Sequence, residues 1–445
     1  MMRIVSTGMP VLVLALMAGG AVGDEKVNDF VLDNGLKVVV IEDHRAPAAV
    51  QMIWYDVGAA DEPPGKSGIA HFLEHLMFRG TEEYGPGEFQ QTVELLGGSE
   101  NGFTSRDYTG YWQRVASDRL ETVMEMEADR MNGLLMTEED ISVERQVVLE
   151  ERNTRTESNP HALFAEQRMS ALYLNHPYGI PVIGWRSEIE GLTRADLFDF
   201  YRQHYVPNNA TLIIAGDVRP DKVRQLAEEH YGQIPADPEL AGRGRPMEPP
   251  HLAARRLAAS DPRVASPYVV RIYLAPERNP DEQEKAAALE ILAELLGGSG
   301  ATSILGRELE IEQKMAVYTS AFYDGVSLDY STFGFLAVPT EGVTLQEAED
   351  AVDTVLAEFI SEGVDEDHLA RVKAQIRAAW IYGQDSVFDR ANRYGEALAS
   401  GLSIADVEDW PDVLQAVTGE DIVAAAMEVL NMESSVTGWL TGEEG

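Results

Sequence analysis

The stretch GIAHFLEHLMFRGT, residues 68–81, carries the most informative pattern in this chain. It places His71 and His75, two of only nine histidines, four positions apart with Glu74 between them. Each residue of an α-helix advances by about 100°, so these three side chains share one face. Two imidazoles on that face can reach one metal ion while a carboxylate lies beside it. The alternative interpretation is two polar histidines on a partly buried helix.

The order H-x-x-E-H is the inverted form of a motif found in many zinc proteases. A catalytic zinc site needs a third protein ligand and one open position for water. Because the chain has no cysteine, that third ligand must be a His, an Asp or a Glu.

A second helix is predicted where TEEDISVERQVVLEERN, residues 137–153, opens with a T-x-x-D capping box. Glu144 and Glu151 are seven positions apart and share one face of this helix, whereas Glu150 turns away. If that face points at the metal, Glu151 is the better ligand and Glu144 a partner that orients the site. The alternative is a solvated helix face, which periodicity alone does not exclude.

The composition indicates a large globular protein with an acidic surface. With 445 residues and 44% hydrophobic content, the chain can form two or more packed domains. Its 35 basic and 75 acidic residues give a net charge of −40, which repels nucleic acids and anionic lipids and attracts basic peptides. Acidity that serves only solubility, or that reflects a salty habitat, explains the charge equally well.

Residues 1–23 have the pattern of a secretory signal peptide. One Arg precedes an apolar run, and Ala21 and Gly23 occupy the −3 and −1 positions of a cleavage site. The apolar run is too short to span a bilayer comfortably, and no later segment has the pattern of a transmembrane helix. We therefore expect a soluble exported protein that is periplasmic or secreted.

Strands and helices interleave along the first half of the chain. The Asn34-Gly35 pair between apolar runs predicts a β-hairpin. Further strands are predicted at 101–116 and 210–218, and helices at about 67–79, 87–96, 117–136 and 138–158. The hairpin argues against a purely parallel sheet, so we expect an α+β layered fold.

The order of elements restarts in the second half. Residues 233–265, rich in Pro, Gly and charge, are predicted to be a linker. Beyond it, residues 267–298 repeat the layout of residues 48–80: strand, polar loop, apolar helix, glycine. The sequence thus predicts an N-terminal domain at 24–232 that carries the metal motif, and a similar C-terminal domain at 266–445 that lacks it.

Together these motifs resemble those of the M16, or pitrilysin-like, family of zinc peptidases, which includes mitochondrial processing peptidase and insulin-degrading enzyme. The segments HFLEH, ERQVVLEE, GGSENGFTSRDYTGYW and HYVPNNATLIIAGDV carry the resemblance, which covers nearly the whole mature chain. It implies that His71, His75 and Glu151 bind zinc, that Glu74 is the general base, and that Glu144 orients the site. It also implies an α+β fold of the LuxS/MPP-like metallohydrolase type, in which two homologous α/β layered half-chains form half of a clamshell.

The family holds its substrate as an added strand at a sheet edge near the zinc. Asn101, Phe103 and Thr104 match that edge strand, while Gly102 stands where the family often has Ala. Main-chain hydrogen bonds at such an edge hold an extended peptide with little regard for its side chains. The alternative is an ordinary internal strand.

The second half departs from the family pattern. Many active members carry an Arg and a Tyr seven positions apart that reach the substrate carbonyl, but Glu310 and Val317 occupy those places here. Arg307 and Tyr318 are eleven apart, so they are interpreted as structural residues. The resemblance therefore implies a zinc endopeptidase subunit similar to the β subunit of mitochondrial processing peptidase, in a heterodimer whose homologous partner supplies the Arg/Tyr pair.

Two rival interpretations belong to other functional classes. One is a non-catalytic structural member of the same family, and the other is a peptide-binding module without zinc dependence. The GGSG at residues 297–300 lacks the Lys and the strand context of a phosphate-binding loop. The other histidines, such as His161, His176 and His204, are interpreted as surface or packing residues.

Overall fold

The fold is known from a computed structural model that describes residues 27–280, 282–298 and 300–442. The predicted signal peptide lies outside the described residues. Two mixed sheets, each covered by helices, form the architecture, so the predicted α+β class is confirmed. None of the helices in the described part of the chain is long and apolar enough to cross a bilayer.

The first half builds a six-stranded sheet in the order β1-β2-β6-β3-β5-β4. Its strands are β1 (Val27–Val31), β2 (Lys37–Glu42), β3 (Ala48–Tyr55), β4 (Ser99–Thr104), β5 (Thr109–Ala116) and β6 (Ala210–Gly216). Its helices are α1 (Ile69–Leu76), α2 (Glu88–Leu95), α3 (Leu120–Gly133), α4 (Glu138–Arg152), α5 (Pro160–Leu172), α6 (Arg186–Gly191), α7 (Arg194–His204) and α8 (Pro220–His230). Among the described residues, β4 pairs only with β5, so it is an edge strand of this sheet.

The second half builds a five-stranded sheet in the order β7-β11-β8-β10-β9. Its strands are β7 (Arg255–Ser260), β8 (Tyr268–Ala275), β9 (Ala316–Asp324), β10 (Ser331–Pro339) and β11 (Ser435–Thr441). Its helices are α9 (Glu284–Ala293), α10 (Leu345–Glu362), α11 (Glu366–Gly383), α12 (Val387–Ala399), α13 (Ile404–Ala416) and α14 (Gly419–Val429).

The two sheets share one topology. In the first, β6 pairs parallel with β2 and antiparallel with β3. In the second, β11 pairs parallel with β7 and antiparallel with β8. The order β2-β6-β3-β5-β4 therefore repeats as β7-β11-β8-β10-β9, which confirms two similar half-chains. The first half has the extra strand β1, which pairs antiparallel with β2 across the predicted turn, where Gly35 takes a φ of 86°.

Two predictions about local structure are wrong. Residues 101–116 do not form one strand: β4 and β5 pair as an antiparallel hairpin. The Ser105 hydroxyl stabilises the reversal, because its oxygen accepts the backbone N–H groups of Asp107 and Tyr108. The predicted linker 233–265 is also too long, since its residues 255–260 form β7 and pair with β11. The dense run of Pro and Gly that suggested a linker ends at Pro250, before this strand. The domain boundaries themselves stay a prediction.

The rest of the linker is fixed to both halves by two arginines. Arg245, with a side chain only 6% exposed, contacts the carboxylates of Asp61, Asp107 and Asp329 at 2.5–3.0 Å. Arg243 contacts Asp61 at 2.5 Å. Asp61 and Asp107 belong to the first half and Asp329 to the second. The linker therefore carries a buried ionic cluster that joins the halves.

Each half also contributes a helix that packs on the sheet of the other half. Helix α12 of the second half covers one face of the first sheet, where Ala391 packs with Val39, Ile41 and Trp54. In the opposite direction, α5 of the first half packs on the second sheet through Phe164. The first sheet is therefore buried on both faces, with α1, α3, α7 and α8 on the other side.

Gly395 of α12 tests this packing. A Cβ atom at this position would lie 2.0 Å from Cε2 of Trp54, far inside van der Waals contact. We expect Gly395→Ala to destabilise the protein by roughly 1–3 kcal/mol, because α12 must move away from the sheet. Gly191→Ala is the matched control, since nothing lies within 4 Å of its added Cβ. Urea unfolding of both variants measures the effect, and equal stability would contradict the close approach.

Candidate metal centre

Helices α1 and α4 bring together the three predicted metal ligands. The Nε2 atom of His75 lies 3.1 Å from Oε2 of Glu151, and Nε2 of His71 lies 3.6 Å from the same oxygen. One ligand atom from each residue falls within 4.8 Å of the others. This is the arrangement expected of three side chains that share one ion.

The start of α1 is stabilised by the partly buried side chain of Glu62. Gly68 is the residue before the helix and has a φ of 85°. As a glycine, it has no side chain that could cap the first turn. Instead, the two oxygens of Glu62 accept the N–H groups of Gly68 and Ala70. A carboxylate is favourable at this positive end of the helix dipole, although burial raises the pKa of Glu62 well above its ordinary value. The helix that carries both histidines is thereby fixed at its first residue.

Glu144 lies behind His75, on the side away from the ligand atoms. Its Oε2 lies 3.2 Å from Nδ1 of His75, and its Oε1 forms an ion pair with Arg79. Burial works to raise the pKa of Glu144, but the bonds to His75 and Arg79 outweigh it and hold the pKa below its ordinary value. An ionised Glu144 holds a proton on Nδ1 of His75, so Nε2 is the nitrogen that would bind a metal ion.

Glu151 uses its two oxygens for different partners. Oε2 faces the histidines, and Oε1 lies 2.6 Å from Nη1 of Arg155. The bond to His75 is the main reason that the pKa of Glu151 lies below its ordinary value. Glu150 is exposed, as the helix geometry predicts. The capping box at Thr137 forms as predicted, with the Thr137 oxygen accepting the N–H of Asp140 at 3.1 Å.

Glu74 lies between the ligand cluster and the edge strand β4. Its Oε2 accepts a hydrogen bond of 2.5 Å from the hydroxyl of Thr104. Burial raises the pKa of Glu74, and the bond from Thr104 opposes this only in part. A carboxylate with a raised pKa and a fixed orientation is suited to exchanging protons with a bound reactant. Gly102 leaves room for it, since a Cβ there would lie 3.1 Å from Cγ of Glu74.

The three residues predicted to bind substrate have different surroundings. Thr104 contacts Glu74, as described. Asn101 is exposed, and its side-chain oxygen accepts the N–H of Gly102 at 2.9 Å. Phe103 packs its ring 4.8 Å from that of Trp54, so packing accounts for much of its role. Their assignment to substrate binding stays a prediction, although no other described strand pairs with the outer edge of β4, as such binding requires.

A cavity of 490 Å³ contains the whole cluster. Sequence reasoning identified most of its lining but missed Phe78, Gln90, Glu100 and Arg155. It also missed Arg79, which pairs with Glu144 outside the lining. The spacing offered a signal for the two arginines, because Arg79 follows His75 by four residues and Arg155 follows Glu151 by four. A larger cleft of 780 Å³ is lined by the segment that precedes α1 and by His176 and His204. Among the described residues, this second cleft contains no group of three ligands like that in the first.

The second half has no comparable cluster among its described residues. Helix α9, the counterpart of α1, has the sequence EKAAALEILA without histidine. Glu310 accepts two hydrogen bonds of 2.7 Å from the backbone N–H and the hydroxyl of Thr319. Val317 is apolar and 61% exposed. Arg307 pairs with Glu308 at 3.0 Å. The residues at the expected Arg and Tyr positions thus have no donor to offer a substrate.

Family profiles and related sequences both match this chain to M16 peptidases and zinc proteases. The family profile described as "Insulinase (Peptidase family M16)" matches residues 37–185, and "Peptidase M16 inactive domain" matches residues 191–376. The chain is 30% identical over 412 residues to the zinc protease PqqE of Helicobacter pylori, covering 92% of this chain and 91% of that protein. An uncharacterized zinc protease of Mycobacterium leprae is 28% identical over 406 residues, covering 90% of this chain and 88% of that protein.

Solved structures of proteases have a similar fold. The crystal structure of a protease from Helicobacter pylori superposes with a TM-score of 0.87 at 28% identity, covering 94% of this chain and 99% of that one. The periplasmic protease PqqL of Escherichia coli shares the fold, with a TM-score of 0.82 at 20% identity. That match covers 94% of this chain but only 48% of PqqL.

Proposed function

Because the chain belongs to the M16 peptidase family, we propose that it is a zinc-dependent endopeptidase that cleaves peptides or unfolded polypeptide segments. His71, His75 and Glu151 hold the zinc ion, and Glu74 is the general base. The observation that carries this proposal is the convergence of one ligand atom from each of the three residues within 4.8 Å.

The chemistry of the donors supports zinc. Two imidazoles and one carboxylate form one of the usual ligand sets of catalytic zinc. Burial lowers the pKa of His71 to about 4, so its imidazole is neutral and has a lone pair to give. Burial also works to lower the pKa of His75, but hydrogen bonds with Glu144 and Glu151 raise it to about 9. A cation between His75 and Glu151 takes the place of the proton that those two groups otherwise share.

The chain's own side chains then divide the work of hydrolysis. Zinc, when bound, supplies Lewis-acid polarisation of the peptide carbonyl and of the attacking water. Glu74 takes the proton of that water as it attacks the carbonyl carbon, and passes it to the nitrogen as the C–N bond breaks. Thr104 holds the Glu74 carboxylate in one orientation. The free edge of β4 aligns an extended peptide beside Glu74 through main-chain hydrogen bonds.

The proposed catalytic unit is a pair of homologous subunits. Glu310 and Val317 replace the Arg and Tyr that many relatives direct at the substrate carbonyl. We assign those groups to a homologous M16 partner, with this chain as the zinc-bearing half of a clamshell that encloses the site. The signal-peptide pattern of residues 1–23 supports an exported location for the pair.

Chelator sensitivity tests the zinc-peptidase proposal. We expect the protein to cleave a quenched fluorescent peptide, to lose that activity when a chelator removes the metal, and to regain it with zinc. A peptide-binding module would hold peptide without metal. Peptide binding that is undiminished after metal removal, together with no cleavage in any zinc-loaded sample, would therefore overturn the proposal. So would cleavage that persists after complete metal removal.

The partner proposal makes a separate prediction. The purified chain alone is expected to cleave on the order of 10² times more slowly than the reconstituted pair, because it lacks the opposing donors. The partner is obtained by affinity purification of the tagged chain from its source, and activity is compared with and without it. Full activity in a monomer or homodimer of proven composition contradicts this prediction and leaves the zinc-peptidase proposal intact.

A further inference from the structure

Two arginines approach the candidate site in the same way. Arg79 pairs with Oε1 of Glu144, whose other oxygen lies 3.2 Å from Nδ1 of His75. Arg155 lies 2.6 Å from Oε1 of Glu151, whose other oxygen lies 3.1 Å from Nε2 of His75. Each carboxylate therefore has a guanidinium on its outer oxygen and the His75 ring on its inner one.

The two pairs differ in burial. The side chain of Arg79 is 29% exposed and that of Glu144 is 8% exposed, whereas Arg155 is 74% exposed. Exposed ion pairs are screened by water and contribute little, while a partly buried pair holds its geometry more firmly. Arg79 is therefore the arginine with the larger influence on the ring of His75.

The chain around Arg79 fixes its position. After α1 ends at Leu76, the N–H of Phe78 bonds to the carbonyl of His75 and the N–H of Arg79 bonds to that of Leu76. Gly80 follows with a φ of 121°, in the left-handed region, and its hypothetical Cβ would lie 2.7 Å from the carbonyl oxygen of Tyr84. Only glycine fits this reversal easily. Arg79 is thus held between a helix end and a constrained turn.

We propose that Arg79 is a positioning residue for the metal centre: by holding the outer oxygen of Glu144, it fixes the orientation and tautomer of the His75 ring. The inference rests on the proposed function. It adds to that function a residue that touches neither metal nor substrate. Without Arg79, the Glu144 carboxylate can rotate away from Nδ1, and the ring loses the partner that holds Nε2 toward the other ligands.

A purely electrostatic effect of Arg79 would change zinc affinity in the opposite direction, which makes the proposal testable. Removing a positive charge near a cation site should tighten zinc binding by simple Coulomb attraction. Loss of positioning should weaken it, and losing such an outer contact typically costs about 10–100-fold in metal affinity. The direction of the change therefore separates the two effects.

The experiment measures zinc affinity of the full chain by competition with a chelator, and the visible spectrum of cobalt(II) bound in place of zinc. We expect Arg79→Met to weaken zinc binding by about tenfold or more and to change the cobalt spectrum. Arg79→Lys should restore most of the affinity, because it retains a cation for Oε1 of Glu144. Arg155→Met should have a smaller effect, and Arg219→Met is the charge-matched control, since its side chain is 73% exposed.

A double-mutant cycle identifies the route of the effect. If Arg79 acts through Glu144, then Arg79→Met should add little to the loss already caused by Glu144→Gln. Zinc affinity in Arg79→Met equal to or above that of the wild type overturns the inference. So does a Lys variant no better than Met, or full additivity with Glu144→Gln. Failure of the proposed function is distinct, because it appears in the wild type as absent zinc binding or absent cleavage.

Discussion

Glu74→Gln should abolish peptide cleavage while zinc remains bound. General acid–base catalysis contributes roughly 10²–10⁴ to rate, and an amide can neither accept the proton of the attacking water nor return it to the leaving nitrogen. The amide keeps the size of the carboxylate and can still accept the hydrogen bond from Thr104, so the fold and the ligand cluster should persist. Steady-state cleavage of a quenched peptide and metal content by mass spectrometry measure the two effects.

Glu150→Gln is the matched control for this substitution. It makes the same charge change close by on α4, but its side chain is exposed and turned away from the ligands. We expect normal cleavage from the control. Turnover retained by Glu74→Gln would remove Glu74 from its proposed role. Loss of bound zinc in that variant would instead assign Glu74 to metal binding.

Arg245→Met should cause the largest loss of stability. The arginine is buried and contacts three carboxylates, and methionine fills much of its volume without its charge. Removing one partner from a buried ionic cluster typically costs about 3–5 kcal/mol, because charges remain without compensation. Here Asp107, with a side chain 5% exposed, loses its ion pair with Arg245, while Asp61 keeps its ion pair with Arg243. Urea unfolding should show a loss of this size.

Arg219→Met again serves as control, because its ion pair with Asp221 is exposed on both sides. Such pairs contribute only about 0–1 kcal/mol. A second observation distinguishes the role of the cluster from general packing. Since Arg245 joins Asp107 of the first half to Asp329 of the second, limited proteolysis of the variant should cut first in the linker. Unchanged stability and an unchanged cleavage pattern would show that the cluster does not hold the halves together.

The sequence by itself determined the local chemistry of the candidate site and the class of the fold. The spacing of His71, Glu74 and His75 placed them on one helical face, and the seven-residue spacing of Glu144 and Glu151 did the same on a second helix. The Asn34-Gly35 turn and the restart of elements after the linker predicted a mixed sheet and two similar halves. These features are periodic or local, so they can be identified in the sequence before the tertiary structure is known.

Tertiary structure decided which side chains meet. His75 contacts Glu144 and Glu151 across 69 and 76 positions of sequence, a pairing that no helical period encodes. The pairing of Arg79 with Glu144, the packing of α5 and α12 on the opposite sheets, and the strand β7 inside the expected linker arose in the same way. Each depends on one element packing against a distant one, and packing energy is shared among many residues, so local spacing alone does not specify the partner.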